Sequence, residues 1–555
     1  MKNLILGWLV TATFLTNTIQ AKPNIIFILS DDHAPHTISG LRPHMTAYGN
    51  HITNQTPNID RIGDEGVIMA NTFCENSICG PSRAAILTGK FSHRHGYFGN
   101  ASGLGGFDPA QQHIGKLLHS AGYDTGIFGK WHLKNGGSMA TPTGFNTYAL
   151  HNTSSDQGNY YRPSYATPSG THLTAVGTYC TDYTTDMSLA WLDGSVTLNG
   201  TVHTRDTAKP FALFCHFKAP HRNWIPGPDE LDLWRDFDGS PGNDVGLDPT
   251  WPEPSTLFEA AASWPGRSNV IDRNRMTVQS HLNENDLKLS LSESSRMTAA
   301  QQATWDAIYG PENAWYNNNL AALANSDENK VRWKYQRYSK DYLRCIAGVD
   351  KNVGRILAWL DNQPASVKNN TIVIYTADQG FYIGDHGLFD KRWMYEESLR
   401  MPFLVRWPDQ LPAGKVHHEL VQNIDFAPIL LDAVGEHIPR DMQGRSFLRM
   451  MKGKPQPDWR DSIYYHYYED DGSHYVRPHY GIRTATHKLI RFYWSGDEAW
   501  EMYDLTADPD ELLSIYADPT HQSDRDALEA GLQKLRRQYR VPGATPLRAY
   551  ESFRD

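Results

Sequence analysis

Asn24-Ile25-Ile26-Phe27-Ile28-Leu29 is an unbroken run of apolar, largely β-favouring residues that ends in Ser30-Asp31-Asp32. A strand with one wet face would alternate, whereas a continuous run of this length suits a strand buried on both faces of a parallel sheet. The pattern recurs at Asp124–Phe128 (DTGIF), Phe211–Phe217 (FALFCHF) and Thr371–Thr376 (TIVIYT). Helical stretches lie between these runs. In the clearest one, Val331 to Leu360, the residues Tyr335, Tyr338, Tyr342, Cys345, Val349, Val353, Ile356 and Leu360 repeat at three-to-four spacing, as one buried helix face requires. Strands alternating with helices predict an α/β fold built on a large, mostly parallel sheet flanked by helices.

The rest of the chain divides around that core. Lys2 followed by the apolar Leu4–Leu15, with Ala21 as the last residue before cleavage, reads as a signal peptide over residues 1–21, although Ile19 is imperfect for a small-residue cleavage site. No other apolar run reaches the roughly 18 residues of a membrane span, so the mature chain is expected to be exported, periplasmic or secreted, and not an integral membrane protein. Residues 22–452 form the expected catalytic domain. Within it, residues 224–329 are rich in Pro, Trp, Asn and Ser with weak periodicity, and read as a long insertion carrying short helices. In residues 453–555, the short aromatic or β-branched runs Ile463–Tyr468, Tyr480–Thr484 and Lys488–Tyr493 and the amphipathic Asp526–Tyr539 predict a smaller antiparallel sheet with a closing helix.

Composition removes several classes. With 555 residues, 40% hydrophobic and 21% charged, the chain has apolar mass for a large core and is neither disordered nor fibrous. The net charge of −10 argues against a nucleic-acid partner. Five cysteines exclude a disulfide-dense scaffold and leave the pairing of Cys74, Cys180, Cys215 and Cys345 unassigned, with Cys215 and Cys345 expected as free buried thiols.

Three features carry chemistry. Asp31 and Asp32 stand at the C-terminal end of the first strand, where ligands of open parallel sheets collect. Adjacent carboxylates repel, and a hard divalent cation relieves that repulsion, although an Asp-Asp pair after a strand is also a common turn or cap. Asp378 and Gln379 occupy the same kind of place after Thr371–Thr376. Cys79-Gly80-Pro81-Ser82-Arg83 leads into Ala84–Thr88, so Cys79 falls beside a helix N-terminus with a guanidinium four residues on, a setting that favours an anion. A buried structural thiol and a thiolate nucleophile both fit Cys79 at this level.

Taken together, these segments resemble the formylglycine-dependent (type I) sulfatases of the alkaline-phosphatase-like superfamily. The resemblance is carried by Cys79-Gly80-Pro81-Ser82-Arg83-Ala84-Ala85-Ile86-Leu87-Thr88-Gly89-Lys90, by Asn24–Asp32, and by Thr56-Pro57-Asn58-Ile59-Asp60-Arg61. It continues through Gly129-Lys130-Trp131-His132-Leu133, Thr376-Ala377-Asp378-Gln379-Gly380, Asp390–Glu397, and Tyr503-Asp504-Leu505 with Asp508-Pro509. It implies that Asp31, Asp32, Asp378 and Gln379 hold one divalent cation, usually Ca²⁺; many relatives have Asn where Gln379 stands. It implies that Cys79 is oxidised to formylglycine by a formylglycine-generating maturation enzyme, and that the hydrate is the nucleophile. Arg83 would stabilise the hydrate, Lys130 and Lys391 would bind the sulfate oxygens, and His132 would act as base. His221, in Lys218-Ala219-Pro220-His221, would protonate the leaving alcohol. The hydrate's second hydroxyl would then expel sulfate and return the aldehyde.

The implied activity is hydrolysis of sulfate monoesters of a carbohydrate, with a lean toward a 6-O-sulfated hexosamine or an algal polysaccharide. The insertion and the C-terminal part are expected to line the pocket mouth, with Trp224, Trp234, Tyr468, His474, Arg477 and His479 as candidate sugar contacts and His93, His95 and His386 near the pocket by motif position. The alternatives are a phosphate or phosphonate monoester hydrolase of the same superfamily, and a glycan-binding protein without turnover if Cys79 is not matured.

Overall fold

A computed structural model describes residues 21–45, 51–153, 156–234, 252–258, 265–290, 293–470, 474–494, 496 and 498–542. The leader reading, apart from Ala21, lies outside the described residues. Ten strands form the large sheet: β1 (Asn24–Ser30), β2 (Val67–Met69), β3 (Asp124–Gly129), β4 (Thr147–His151), β5 (Ser164–Thr167), β6 (Gly170–Leu173), β7 (Phe211–His216), β8 (Thr371–Ala377), β9 (Phe403–Arg406) and β10 (Lys415–His417). Their order is β10-β2-β9-β8-β1-β7-β3-β4-β5-β6.

The five central strands, β8-β1-β7-β3-β4, are parallel, with Ile25 in register with both Ile372 and Ala212. The flanks are mixed: β9 runs antiparallel to β8 and to β2, β5 runs antiparallel to β4, and β6 turns back on β5 through a hairpin at Pro168-Ser169. Successive β1 side chains point to opposite faces. Ile25, Phe27 and Leu29 enter one hydrophobic core and Ile26 and Ile28 the other, which is why the run is apolar without interruption.

Helices cover both faces. In chain order they include α1 (Pro57–Asp64), α2 (Cys79–Thr88), α3 (Cys180–Leu192), α4 (Ala299–Asn319), α5 (Glu328–Asp361) and α6 (Phe426–Ala433). The helix expected over Val331 to Leu360 is α5, which packs on α1 and α3 and buries every residue of the quoted face. The insertion departs from expectation, because α4 is a single helix of 21 residues opened by a capping box between Thr298 and Gln301. It contains Pro311 and buries only Trp305, Ile308, Tyr309 and Tyr316, too narrow a stripe to stand out as a period.

The C-terminal strands β11 (Ser462–Tyr467), β12 (His479–Thr484), β13 (His487–Phe492) and β14 (Ala499–Asp504) form an antiparallel sheet in sequence order. Helix α7 (Gln522–Gln538) packs on one face through Leu528, Leu532 and Leu535. The other face, with Ile463, Tyr465, Tyr467, Ile490 and Tyr503, joins the core of the large domain. This small sheet is therefore built into the wall of the larger unit.

Candidate active site

Four of the segments singled out above end at the C-terminal edge of the parallel strands: Asp31 and Asp32 after β1, Lys130 and His132 after β3, His221 after β7, and Asp378 and Gln379 after β8. The segment after Asp390 supplies Lys391, and helix α2 supplies Cys79 and Arg83. Its first residue is Cys79, and Pro81 lies in the first turn, where a backbone N–H has no helical partner. The Gly80 N–H donates to Asn100 Oδ1 at 3.1 Å. Gly89, at φ 67°, closes the helix in the left-handed conformation.

Three buried carboxylates meet three buried cations. Arg83 Nε donates to Asp378 Oδ2 at 2.9 Å, and Arg83 Nη2 lies 3.5 Å from Asp31 Oδ1. Lys130 Nζ pairs with Asp31 and Lys391 Nζ with Asp32. Such charges persist out of water only when paired and hydrogen-bonded. Burial opposes ionisation of Asp31, but the Lys130 ammonium and the Arg83 guanidinium hold its carboxyl well below the usual range. Burial raises Asp32, with Lys391 opposing and Asp31 adding to the rise. Burial and the neighbouring Asp31 push Asp378 up to about 7.

The same cluster has the chemistry of a cation site. Asp31, Asp32, Cys79 and Asp378 each offer a ligand atom, all within 4.8 Å of one another. Asp31 Oδ1 and Gln379 Oε1 are buried without a hydrogen-bond donor. Oxygens of this kind are what Ca²⁺ or Mg²⁺ takes. The Gln379 amide nitrogen bonds Asp32 Oδ1, so turning that amide over exchanges its oxygen into the cluster.

Cys79 Sγ lies 3.7 Å from Asp32 Oδ1, and burial pushes the thiol pKa far up despite Lys130 and Lys391. Burial thus favours the thiol over the thiolate form of the unmodified side chain. His221 Nδ1 donates to the Arg222 carbonyl at 2.7 Å, fixing the tautomer, while Nε2 lies 3.8 Å from Asp32 Oδ2. His132 Nε2 is 2.8 Å from the Gln157 amide, and burial keeps both imidazoles neutral. Non-glycine residues with left-handed backbone gather here: Asp32 at φ 62°, His132 at 55°, Asp390 at 76° and Arg392 at 95°. The Tyr342 hydroxyl steadies the first of these, donating to the Asp32 carbonyl at 2.7 Å and accepting from the Ala34 N–H at 2.8 Å.

The candidate sugar contacts divide. Trp224 has no exposed surface and packs on Tyr338, Phe381 and Phe389. His479 is equally enclosed, stacked on Trp393 with its Nδ1 on the Arg477 carbonyl, and Tyr468 is buried against His466. None of these three can meet a sugar ring; they are core aromatics. His386 is buried with Nε2 on Glu397, His93 bonds the Tyr539 carbonyl, and His95 faces Glu75. His474 does stand by the site, its Nε2 3.4 Å from Asp390 beside Lys391, and Arg477 pairs with Asp470. Trp234 remains partly exposed.

Sequence reasoning missed the supporting residues. Tyr160 donates to the His221 carbonyl at 2.5 Å and offers its ring to the Lys218 ammonium at 4.8 Å. Lys218 opens the quoted Lys218–His221 segment, where it carries no assigned role, and Tyr342 lies on the quoted helix face, where it reads as packing.

Comparison with known proteins gives a consistent result. The sulfatase family model matches residues 23–436, and a model described as N-sulphoglucosamine sulphohydrolase, C-terminal, matches residues 384–538. An N-acetylglucosamine-6-O-sulfatase of Bacteroides thetaiotaomicron is 39% identical over 536 residues, 94% of this chain and 87% of that protein. A structure solved in complex with its substrate D-glucosamine-2-N,6-O-disulfate aligns with a TM-score of 0.81 at 37% identity, covering 94% of this chain and 99% of that one. A phosphonate monoester hydrolase of Agrobacterium radiobacter shares the fold, with a TM-score of 0.65 at 18% identity and coverage of 93% and 96%.

Proposed function

This chain belongs to the sulfatase family and is a sulfuric ester hydrolase, and we propose that it removes the 6-O-sulfate of glucosamine-type residues in a sulfated glycan. The observation that carries the substrate is the 39% identity, over 94% of the chain, to an N-acetylglucosamine-6-O-sulfatase. The phosphonate reading rests on likeness of fold alone, at 18% identity. A binding protein without turnover would have no use for the intact set of Asp31, Asp32, Cys79, Arg83, Lys130, Asp378 and Lys391.

In this reading Asp31, Asp32, Asp378 and Gln379 hold one hard divalent cation, Ca²⁺ by the resemblance to the sulfatases. When bound, that ion supplies Lewis-acid stabilisation of negative charge on the sulfate oxygens. The protein's own charges there, three carboxylates against Arg83, Lys130 and Lys391, cancel; the two charges of the ion then leave the site positive toward an anionic ester. Cys79, matured to formylglycine, supplies the nucleophilic oxygen in place of its thiol. Lys130, Lys391 and Arg83 orient the sulfate group, and His132, neutral in its buried setting, takes the proton from the nucleophile. His221 Nδ1–H is held on the Arg222 carbonyl, so Nε2 is the nitrogen that would carry a proton to the departing O6 oxygen, once the anionic ester beside it favours the imidazolium that burial alone opposes. Asp390, Arg392 and His474 form a polar group around Lys391 suited to sugar hydroxyls.

Lys2 ahead of the apolar Leu4–Leu15 supports export to the periplasm or beyond. Among the described residues no helix is long and apolar enough to cross a membrane. A formylglycine-generating enzyme is the maturation partner this chemistry requires.

The test joins maturation to turnover. Chain co-expressed with a formylglycine-generating enzyme should yield a Cys79 peptide about 18 Da lighter than the thiol form and reactive to hydrazide. It should release sulfate from N-acetylglucosamine-6-sulfate faster than phosphate from the matching 6-phosphate. An unmodified thiol, or preference for the phosphate, would sink the proposal.

A further inference from the structure

Two hydroxyl groups tie the segment that leads into Cys79 to the segment that carries Lys391. The Tyr465 hydroxyl, on β11 of the C-terminal sheet, donates to the Arg392 carbonyl at 2.6 Å and accepts from the Ser77 N–H at 3.2 Å. The Ser398 hydroxyl accepts from the Arg392 N–H at 2.8 Å and lies 2.7 Å from Ser77 Oγ. Ser77 Oγ in turn donates to the Ser398 carbonyl at 2.9 Å, and that carbonyl also accepts from the N–H of Gly380, next to Gln379, at 3.1 Å. The protons close without remainder: each of the three hydroxyls gives one hydrogen bond and receives one. Ser77, Ser398 and Tyr465 are fully buried, so water does not compete for these bonds.

What the hydroxyls hold is a strained backbone. Asp390 and Arg392, on either side of Lys391, sit at φ 76° and 95°, a region unfavourable for side chains with a Cβ. Such a conformation persists only where its surroundings over-determine it. Here Arg392 is fixed at both backbone polar groups, the carbonyl by Tyr465 and the N–H by Ser398, and both fixers rest on Ser77, two residues before Cys79.

We propose that Tyr465 is a positioning residue of the sulfatase reaction: its hydroxyl sets the place of Lys391 against Cys79, so that the C-terminal sheet is part of the catalytic machinery. It touches no reacting atom, and the inference rests on the reading above that Lys391 binds the sulfate group.

Tyr465→Phe removes only the hydroxyl and keeps the ring, which packs on His479 at 5.6 Å between centroids. In matured protein, with N-acetylglucosamine-6-sulfate as substrate, it should lower kcat about tenfold, the effect of one lost buried hydrogen bond on orientation. Formylglycine content should stay close to wild type, while the thermal midpoint falls by a few degrees because the Arg392 carbonyl and the Ser77 N–H lose a buried partner. Made in a Lys391→Ala background, the same substitution should change the rate less than about twofold, because its effect passes through Lys391. An equal fold-loss in both backgrounds, or a wild-type kcat in Tyr465→Phe alone, overturns the inference. Where Lys391→Ala is too slow to measure, inhibition of Tyr465→Phe by inorganic sulfate decides: an inhibition constant weakened about tenfold supports positioning, and an unchanged one overturns it. A matured wild-type chain that releases no sulfate would sink the site reading itself, and would be seen before any variant is made.

Discussion

Arg83 Nε donates to Asp378 Oδ2 at 2.9 Å with neither side chain open to solvent, and the same guanidinium donates through Nη1 to the Lys130 carbonyl at 2.9 Å. One planar group thus spans the helix that begins at Cys79, the carboxylate after β8 and the backbone after β3. Lysine carries the charge but not the fork. Arg83→Lys should lower kcat/KM at least about a hundredfold through lost orientation while the chain still folds. Arg83→Met, which strands Asp378, should cost about 3–5 kcal/mol of stability. Initial rates of sulfate release and thermal unfolding check both, and a Lys variant at wild-type rate would remove Arg83 from the machinery.

The oxygens Asp31 Oδ1 and Gln379 Oε1, buried without donors, predict ligand-linked stability. Ca²⁺ at a hundred times its dissociation constant should add about 2.7 kcal/mol to the native state. The observable is a thermal midpoint that rises on adding Ca²⁺ to chelator-treated protein and falls back with excess chelator, in parallel with activity. Asp378→Asn should abolish the shift. A wild-type midpoint indifferent to calcium and magnesium would exclude the assigned site.

Gly80 follows Cys79 and has no room for a side chain: a Cβ there would lie 2.6 Å from Asn100 Oδ1 and 2.8 Å from the Tyr97 ring. Its φ is not in the left-handed region, so the constraint is contact rather than backbone conformation. Gly80→Ala must displace Asn100, the acceptor for the Gly80 N–H, and with it the first turn of α2. Turnover should fall about ten- to a hundredfold, with a loss of about 1–3 kcal/mol as for overpacking elsewhere. Hydrazide labelling of Cys79 separates this from failed maturation. A variant that labels fully and keeps its wild-type rate would show that the turn tolerates the shift.

Much of this arrangement was legible because the information was local. Asn24–Leu29 carries its double burial in its own composition, the face from Tyr335 to Leu360 carries its period, and strand ends announce where Asp31 and Asp378 meet. The remainder depends on residues far apart in the chain. Trp224 reads as a sugar platform until Tyr338 and Phe389 close over it, and His479 until Trp393 stacks on it. Ser77 meets Ser398 across 321 positions and Tyr465 across 388, and nothing in a lone serine or tyrosine encodes that meeting. Helix α4 escaped notice because burial of four residues in 21 leaves little period to read.

Asp350 gives a pH dependence that does not involve the site. From α5 its carboxylate accepts from the Asn58 N–H at 3.0 Å, the Ile59 N–H at 2.8 Å and the Asn58 side-chain amide at 2.8 Å, capping α1 from outside. Burial outweighs these bonds and pushes its pKa up to about 6. The unfolded value is about 3.9, so between the two the native state binds the extra proton. Stability from this group is therefore present in full below about pH 4 and is lost as pH rises through about 6. The difference corresponds to about 3 kcal/mol as an upper figure. Asn at this position is neutral throughout and can still accept from both backbone donors, while the Asn58 amide can turn over to meet it. Relative to wild type, the thermal midpoint of Asp350→Asn should climb between pH 4 and 6.5 and then level off, since all other titrations are common to the two proteins. A difference that stays flat or declines across that window would mean that the capping bonds hold the carboxylate ionised and that burial does not control it.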